Sequence, residues 1–173
     1  MLIRLARAYV YLILVIDLLF LAASVLLFIA VLTRTMNQLL ERSEVLLIGA
    51  LFTPFPAFGL ARERNVWKNE LRDCPWWLRA IAIVAFLFSI LVILTAIIQS
   101  RDGTSLLDGR VVFIALEISF NLMSLCIIHS VLSSGALSKA EFLKRVRTSV
   151  ILLAAWVAIF AIGSALDVAR FAH

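Results

Sequence analysis

Hydrophobic residues along this chain fall into five long runs, separated by short polar and basic stretches. The runs cover residues 8–32, 45–61, 78–98, 110–132 and 148–168. A helix rises about 1.5 Å per residue, so about 20 apolar residues cross the hydrocarbon layer of a bilayer, which is about 30 Å thick. The pattern therefore predicts an all-α integral membrane bundle of five transmembrane helices, with residues 1–173 forming a single domain.

The run 45–61 is the shortest of the five and contains Pro54 and Pro56. Each proline removes a backbone donor and disfavours helical geometry at the residue before it. A break at membrane depth is tolerated where neighbouring protein satisfies the freed carbonyl groups. The alternative is therefore four transmembrane helices plus a re-entrant or broken segment at 45–61.

The run 110–132 is the one around which the others are expected to pack. Glu117, Asn121 and Ser124 share one face of this predicted helix, and Ser119 and Cys126 lie on the opposite side. Lipid tails offer these groups no hydrogen bonds. A helix that is polar on two sides is therefore predicted to be central, with its polar residues hidden by its neighbours.

Depth along the helices predicts a candidate intramembrane polar site made of Asp17, Glu117, Asn121 and Ser124. Asp17 and Asn121 fall near the same depth, so a hydrogen bond between them is predicted. A carboxylate at the centre of a bilayer is costly unless it is protonated or paired. The functional interpretation is a proton or cation site; the alternative is a set of interhelical polar links, worth on average about 0.6 kcal/mol each.

Alanines recur along the last run at spacings of three and four, at Ala154, Ala158, Ala161 and Ala165. At about 100° per residue these positions share one stripe. Small residues in line let helices approach closely in lipid. The stripe is interpreted as a helix-packing face, within the protomer or between protomers, although alanine also serves as an ordinary apolar filler.

Composition supports a membrane protein. The chain of 173 residues is 64% hydrophobic and 16% charged, with a mean hydropathy of +1.07. Soluble domains are about 45–50% apolar and about 25% charged. The net charge of +5 does not indicate nucleic-acid binding, because the basic residues lie in short loops where they meet lipid head groups.

The distribution of basic residues predicts the orientation. In the five-helix arrangement, eleven of the sixteen Lys and Arg residues lie on the same side of the membrane as the N-terminus. That side includes loops 62–79 and 133–148. Basic loops stay in the cytoplasm. These two loops are thus predicted to be cytoplasmic and the C-terminus to lie outside. The four-helix alternative also places eleven basic residues on the cytoplasmic side, so this count does not separate the two arrangements.

Residues 67–79 combine basic and aromatic side chains suited to a membrane surface. The predicted lipid and interface anchors are Trp67, Lys68, Arg72, Trp76, Trp77 and Arg79. The sequence Cys74-Pro75-Trp76-Trp77-Leu78-Arg79 resembles a group of small bacterial multi-pass inner-membrane proteins of unassigned function that share a Cys-Pro-x-Trp entry into a helix. The resemblance implies a bacterial inner (plasma) membrane and transfers no site residue.

The sequence contains no nucleophile motif, metal-ligand spacing or glycine-rich phosphate loop. Cys74 and Cys126 fall in a loop and in a predicted span, so no disulfide framework is expected. We expect no enzymatic activity, catalytic residue, metal or cofactor. The predicted partners are the lipid bilayer and either further copies of the chain or another membrane protein, but not nucleic acid.

Three functions are compatible with these features. The first is a non-enzymatic subunit that acts through helix association and docks partners on its basic cytoplasmic loops. The second is a small proton or cation channel or transporter that uses the intramembrane carboxylates. The third is a membrane component of bacterial defence or toxin immunity.

Overall fold

The computed structural model describes residues 1–33, 54–61, 74–101, 109–133 and 138–171. All regular structure in these ranges is helical, which confirms the all-α class. The helices are α1 (Leu2–Leu32), α2 (Phe55–Phe58), α3 (Trp76–Arg101), α4 (Gly109–Ser133) and α5 (Lys139–Phe171). Within the described residues, α1, α3 and α4 are long and apolar enough to cross a membrane.

The predicted count of five spanning helices is not confirmed. Residues 45–53 of the second predicted span lie outside the described residues, and the remainder holds only the single turn α2. The fifth predicted span lies within α5, a continuous helix whose first turn carries a capping box formed by Ser138 and Glu141. There the Ser138 hydroxyl accepts a hydrogen bond from the Glu141 backbone N–H at 3.2 Å.

Helix α4 is the centre of the bundle. Helices α1 and α3 each pack along it. Helix α2 contacts it through the edge-to-face pair Phe58 and Phe120, whose ring centroids lie 6.3 Å apart. Of the most apolar stretch of α4, 72% is buried, against 17% for α1 and for α3. The prediction that the helix with two polar sides is central is therefore confirmed.

Helix α2 is held by hydrogen bonds from α5. The Ser149 hydroxyl donates to the Pro56 carbonyl at 2.5 Å, and the Arg145 guanidinium donates to the Leu60 carbonyl at 3.3 Å. Arg145 is buried and also pairs with Glu141 at 3.1 Å. These side chains supply donors to carbonyl groups in a segment too short to satisfy them by itself.

A close backbone approach at Gly59 fixes how α2 sits on α5. A Cβ atom at this position would lie 2.6 Å from the Cα and 2.7 Å from the backbone nitrogen of Ser149. Real Cβ atoms do not come so close to backbone atoms. Glycine is therefore required here for its missing side chain, since Gly59 itself has ordinary right-handed backbone angles.

Candidate functional site

Helices α1 and α4 enclose a row of buried polar side chains, here called the polar row: Asp17, Ser24, Glu117, Asn121 and Ser124. Each is at most 2% exposed. Asp17 and Ser24 are seven residues apart on α1, and Glu117 and Ser124 are seven apart on α4. Two helical turns separate the members of each pair, so they share one face and span about 10 Å of depth.

The two helices meet across the polar row in antiparallel register. Ser124 donates a hydrogen bond to Asp17 Oδ2, and Glu117, seven residues before Ser124, lies level with Ser24, seven residues after Asp17. A carboxyl group on one helix thus faces a hydroxyl group on the other, at both ends of the row. The structure brings together all four residues of the sequence-predicted site and adds Ser24.

The predicted hydrogen bond between Asp17 and Asn121 is not among those formed. Asn121 instead donates from Nδ2 to the Glu117 carbonyl of its own helix at 2.9 Å. This local bond, four residues back along α4, directs the amide donor along the helix. Asp17 takes its donor from Ser124, one turn further along the same face.

Two oxygen atoms of the polar row are left without a partner. Among the buried side-chain nitrogen and oxygen atoms of the described residues, only Asp17 Oδ1 and Asn121 Oδ1 have no hydrogen bond. A buried polar atom left unpaired costs about 1–3 kcal/mol. Both atoms are hydrogen-bond acceptors, so a hydrogen bond between them would require one further hydrogen atom.

The opposite face of α4 packs on α3 through a second set of polar contacts. The Ser119 hydroxyl lies 3.0 Å from the Ser89 hydroxyl and 2.9 Å from the Ala85 carbonyl oxygen. The sequence analysis did not predict the contact between Ser89 and Ser119. The depth of Ser89 on its span, matched against that of Ser119, was the signal available for this pairing.

Cys74 and Cys126 lie in contact, which sequence reasoning did not predict. Both are free thiols, and both are buried in the same apolar cluster between the start of α3 and α4. Burial raises the pKa of the Cys74 thiol. The contact ties the entry of α3 to the middle of α4, because Cys74 precedes the first residue of α3 by two positions.

The part of the α5 alanine face that the structure describes is exposed. Ala154, Ala158 and Ala161 are exposed, and the side chain of Ala165 lies outside the described residues. From Val150 to Ile162 every described side chain is exposed or half-buried. The contacts of α5 are instead made with α2 and α1.

The predicted interface anchors are described only in part. Trp76 and Trp77 are 74% and 53% exposed in the first turn of α3, and Arg79 is half-buried. Such exposure suits indole rings in a head-group layer. Trp67, Lys68 and Arg72 lie outside the described residues.

Within the polar row, the side chains that can bind or release a proton are the carboxyl groups of Asp17 and Glu117. Within the described ranges, no group of three or more His, Cys, Asp or Glu side chains is placed to hold a metal ion. The arrangement is therefore that of a bundle core with an incompletely paired polar row. No family model, curated protein or solved structure matches this chain.

Proposed function

We propose that this protein is a non-enzymatic membrane subunit that works by helix association, using the alanine face of α5 to bind another transmembrane helix. The observation that carries the proposal is that Ala154, Ala158 and Ala161 stay exposed in the folded protomer. The sequence left open a packing face within the protomer or between protomers. Exposure of these side chains favours the second.

The angular arrangement of α5 supports this interpretation. At about 100° per residue, the three alanines cover about 60° of the helix surface. Arg145 and Ser149, which hold α2, lie about 150–170° away from the centre of that stripe. The alanine face therefore points away from the bundle that α5 supports.

The residue type of the stripe also favours a protein partner over lipid. Within a bilayer, helices do not associate by the hydrophobic effect, because lipid tails are as apolar as a leucine side chain. Association depends on close packing, which small residues allow. By comparison, exposed positions of α3 carry large side chains such as Val84, Leu87 and Leu91, which suit contact with lipid.

The wider setting of this function is proposed from the sequence. The chain would lie in a bacterial inner membrane with its C-terminus outside, as the basic loops and the Cys-Pro-x-Trp resemblance predict. Loops 62–79 and 133–148 would then face the cytoplasm and dock anionic lipid or a partner protein. The bound helix would be that of a second copy or of another membrane protein.

The test is to enlarge one alanine on the stripe and one beside it. Ala158→Leu fills the proposed contact, whereas Ala155→Leu makes the same change at an exposed site about 90° away from the stripe. Association is measured by energy transfer between labelled copies in lipid vesicles, and by copurification from native membranes. We expect Ala158→Leu to reduce association at least tenfold and Ala155→Leu to leave it unchanged.

Each outcome has a defined meaning. Loss of energy transfer identifies a second copy as the partner, and loss of a copurifying protein alone identifies a different subunit. Equal effects of the two substitutions, or a monomer without a copurifying protein at all lipid ratios, would refute the proposal. The transporter and toxin-immunity interpretations stay predictions.

One described feature does not favour transport through the bundle. A groove of about 560 Å³ runs between α1 and α3 over α4 and is lined only by apolar side chains. Leu21, Ile81, Val84, Phe88 and Leu122 are among them. Such a groove offers an ion none of the oxygen ligands that would replace its hydration shell.

A further inference from the structure

The geometry points to a proton-binding site in the polar row: we propose that Asp17 carries a proton shared with Asn121. This inference does not depend on association through α5. It rests on the hydrogen bonds of the row, in which two buried acceptor atoms lack a donor.

The missing donor lies at Asp17. Its Oδ2 receives the Ser124 hydroxyl hydrogen, while its Oδ1 and the Oδ1 of Asn121 both lack a donor. The Asn121 amide already donates to the Glu117 carbonyl. A single proton on Asp17 Oδ1 turns one unpaired acceptor into a donor and provides the hydrogen that the other needs.

The remaining hydroxyl group of the polar row offers no further donor. The Ser24 hydroxyl donates its only hydrogen to the Phe20 carbonyl at 2.7 Å. The hydrogen that Asp17 and Asn121 lack is therefore assigned to a proton bound at Asp17.

A proton fits this site better than a metal cation does. A bound Na⁺ or similar hard cation needs about six oxygen ligands in one shell. The polar row distributes its two carboxyl groups over about 10 Å, and that of Asp17 is already engaged by the Ser124 hydroxyl of the facing helix. Adding one proton to Asp17 also removes a negative charge from the interior of the membrane-spanning bundle.

The other titratable groups near α1 do not supply a counter-charge in the row. Helices α3, α4 and α5 are packed against α1. Their described titratable groups are Arg79, Glu117, Cys126, His129, Lys139, Glu141, Lys144, Arg145 and Arg147. Of these only Glu117 belongs to the polar row, so neutralisation of the Asp17 carboxyl group falls to a proton.

The direct test is infrared spectroscopy of the full-length protein in lipid vesicles, following the carbonyl band of protonated carboxyl groups at neutral pH. We expect Asp17→Asn to remove part of that band. Glu141→Gln is the matched control, because Glu141 is partly exposed and paired with Arg145, and it should leave the band unchanged. Asn121→Ala should shift the part assigned to Asp17 without removing it.

A second readout is the pH dependence of unfolding in denaturing detergent. Protons bound in the folded state and released on unfolding make stability fall as pH rises. Asp17→Asn keeps the shape of the side chain and offers a permanent N–H donor to Asn121, so it should fold and should flatten this slope. Glu141→Gln should keep the slope of the unchanged protein.

Two results would overturn the inference. One is a protonated-carboxyl band that Asp17→Asn does not alter, together with an unchanged pH slope. The other is a band absent from the unchanged protein, with a midpoint of unfolding that rises when Na⁺ replaces N-methylglucamine. That second result would assign the polar row to a metal cation.

Discussion

Substituting Gly59 by alanine tests the contact that seats α2 on α5. The added Cβ would lie 2.6 Å from Ser149 Cα, whereas ordinary contact begins at 3.4 Å. The two backbones must therefore separate by about 0.8 Å, the difference between these distances. Because the contact is with backbone atoms of a helix, no side-chain rotation can relieve it.

The free-energy cost follows from the separation. Forcing extra volume into a packed site costs about 1–3 kcal/mol. The same movement lengthens the hydrogen bond from Arg145 to the Leu60 carbonyl, which is already 3.3 Å, and weakening such a bond costs about 0.5–1.5 kcal/mol. We expect Gly59→Ala to lower the free energy of unfolding by about 2–4 kcal/mol.

The measurement is a titration with denaturing detergent in mixed micelles, followed by tryptophan fluorescence. Ala23→Leu is the control for added bulk, since Ala23 is exposed on α1, and its effect should stay within about 0.5 kcal/mol. Ser149→Ala combined with Gly59→Ala should not restore stability, because the clash is with the Ser149 backbone. A Gly59→Ala protein as stable as the unchanged one would refute the close approach, and rescue by Ser149→Ala would show that the contact is with the side chain.

Further predictions concern the hydrogen bonds of Ser149 and the contact between Cys74 and Cys126. The Ser149 hydroxyl donates to the Pro56 carbonyl and lies 3.0 Å from the Tyr9 hydroxyl. In the same titration, Ser149→Ala should lower the free energy of unfolding by about 1–3 kcal/mol and Tyr9→Phe by less. Equal losses of stability would contradict this order. A mild thiol oxidant should join Cys74 to Cys126 with loss of two hydrogens, seen by mass spectrometry and blocked in Cys126→Ser. A purely intermolecular product would contradict the contact. Because burial raises the pKa of Cys74, its alkylation rate should increase with pH above the range usual for a thiol.

The sequence by itself determined the helical class and the central position of α4. Glu117, Asn121 and Ser124 on one face and Ser119 on the other were enough, because a helix in lipid must bury polar groups on both sides. The start of α5 was also readable, since Ser138 and Glu141 form a local capping pair whose geometry needs no distant contact.

Only the tertiary structure decided which groups pair across helices. Register and rotation place Ser124, rather than Asn121, against Asp17, and they bring Cys74 to Cys126. A shift of one residue along α1 turns its side chains by about 100°, so depth estimates that are accurate to about one turn cannot select partners. The same limit applies to Gly59, because whether a glycine meets another backbone depends on how two segments pack, and the local sequence does not encode that distance.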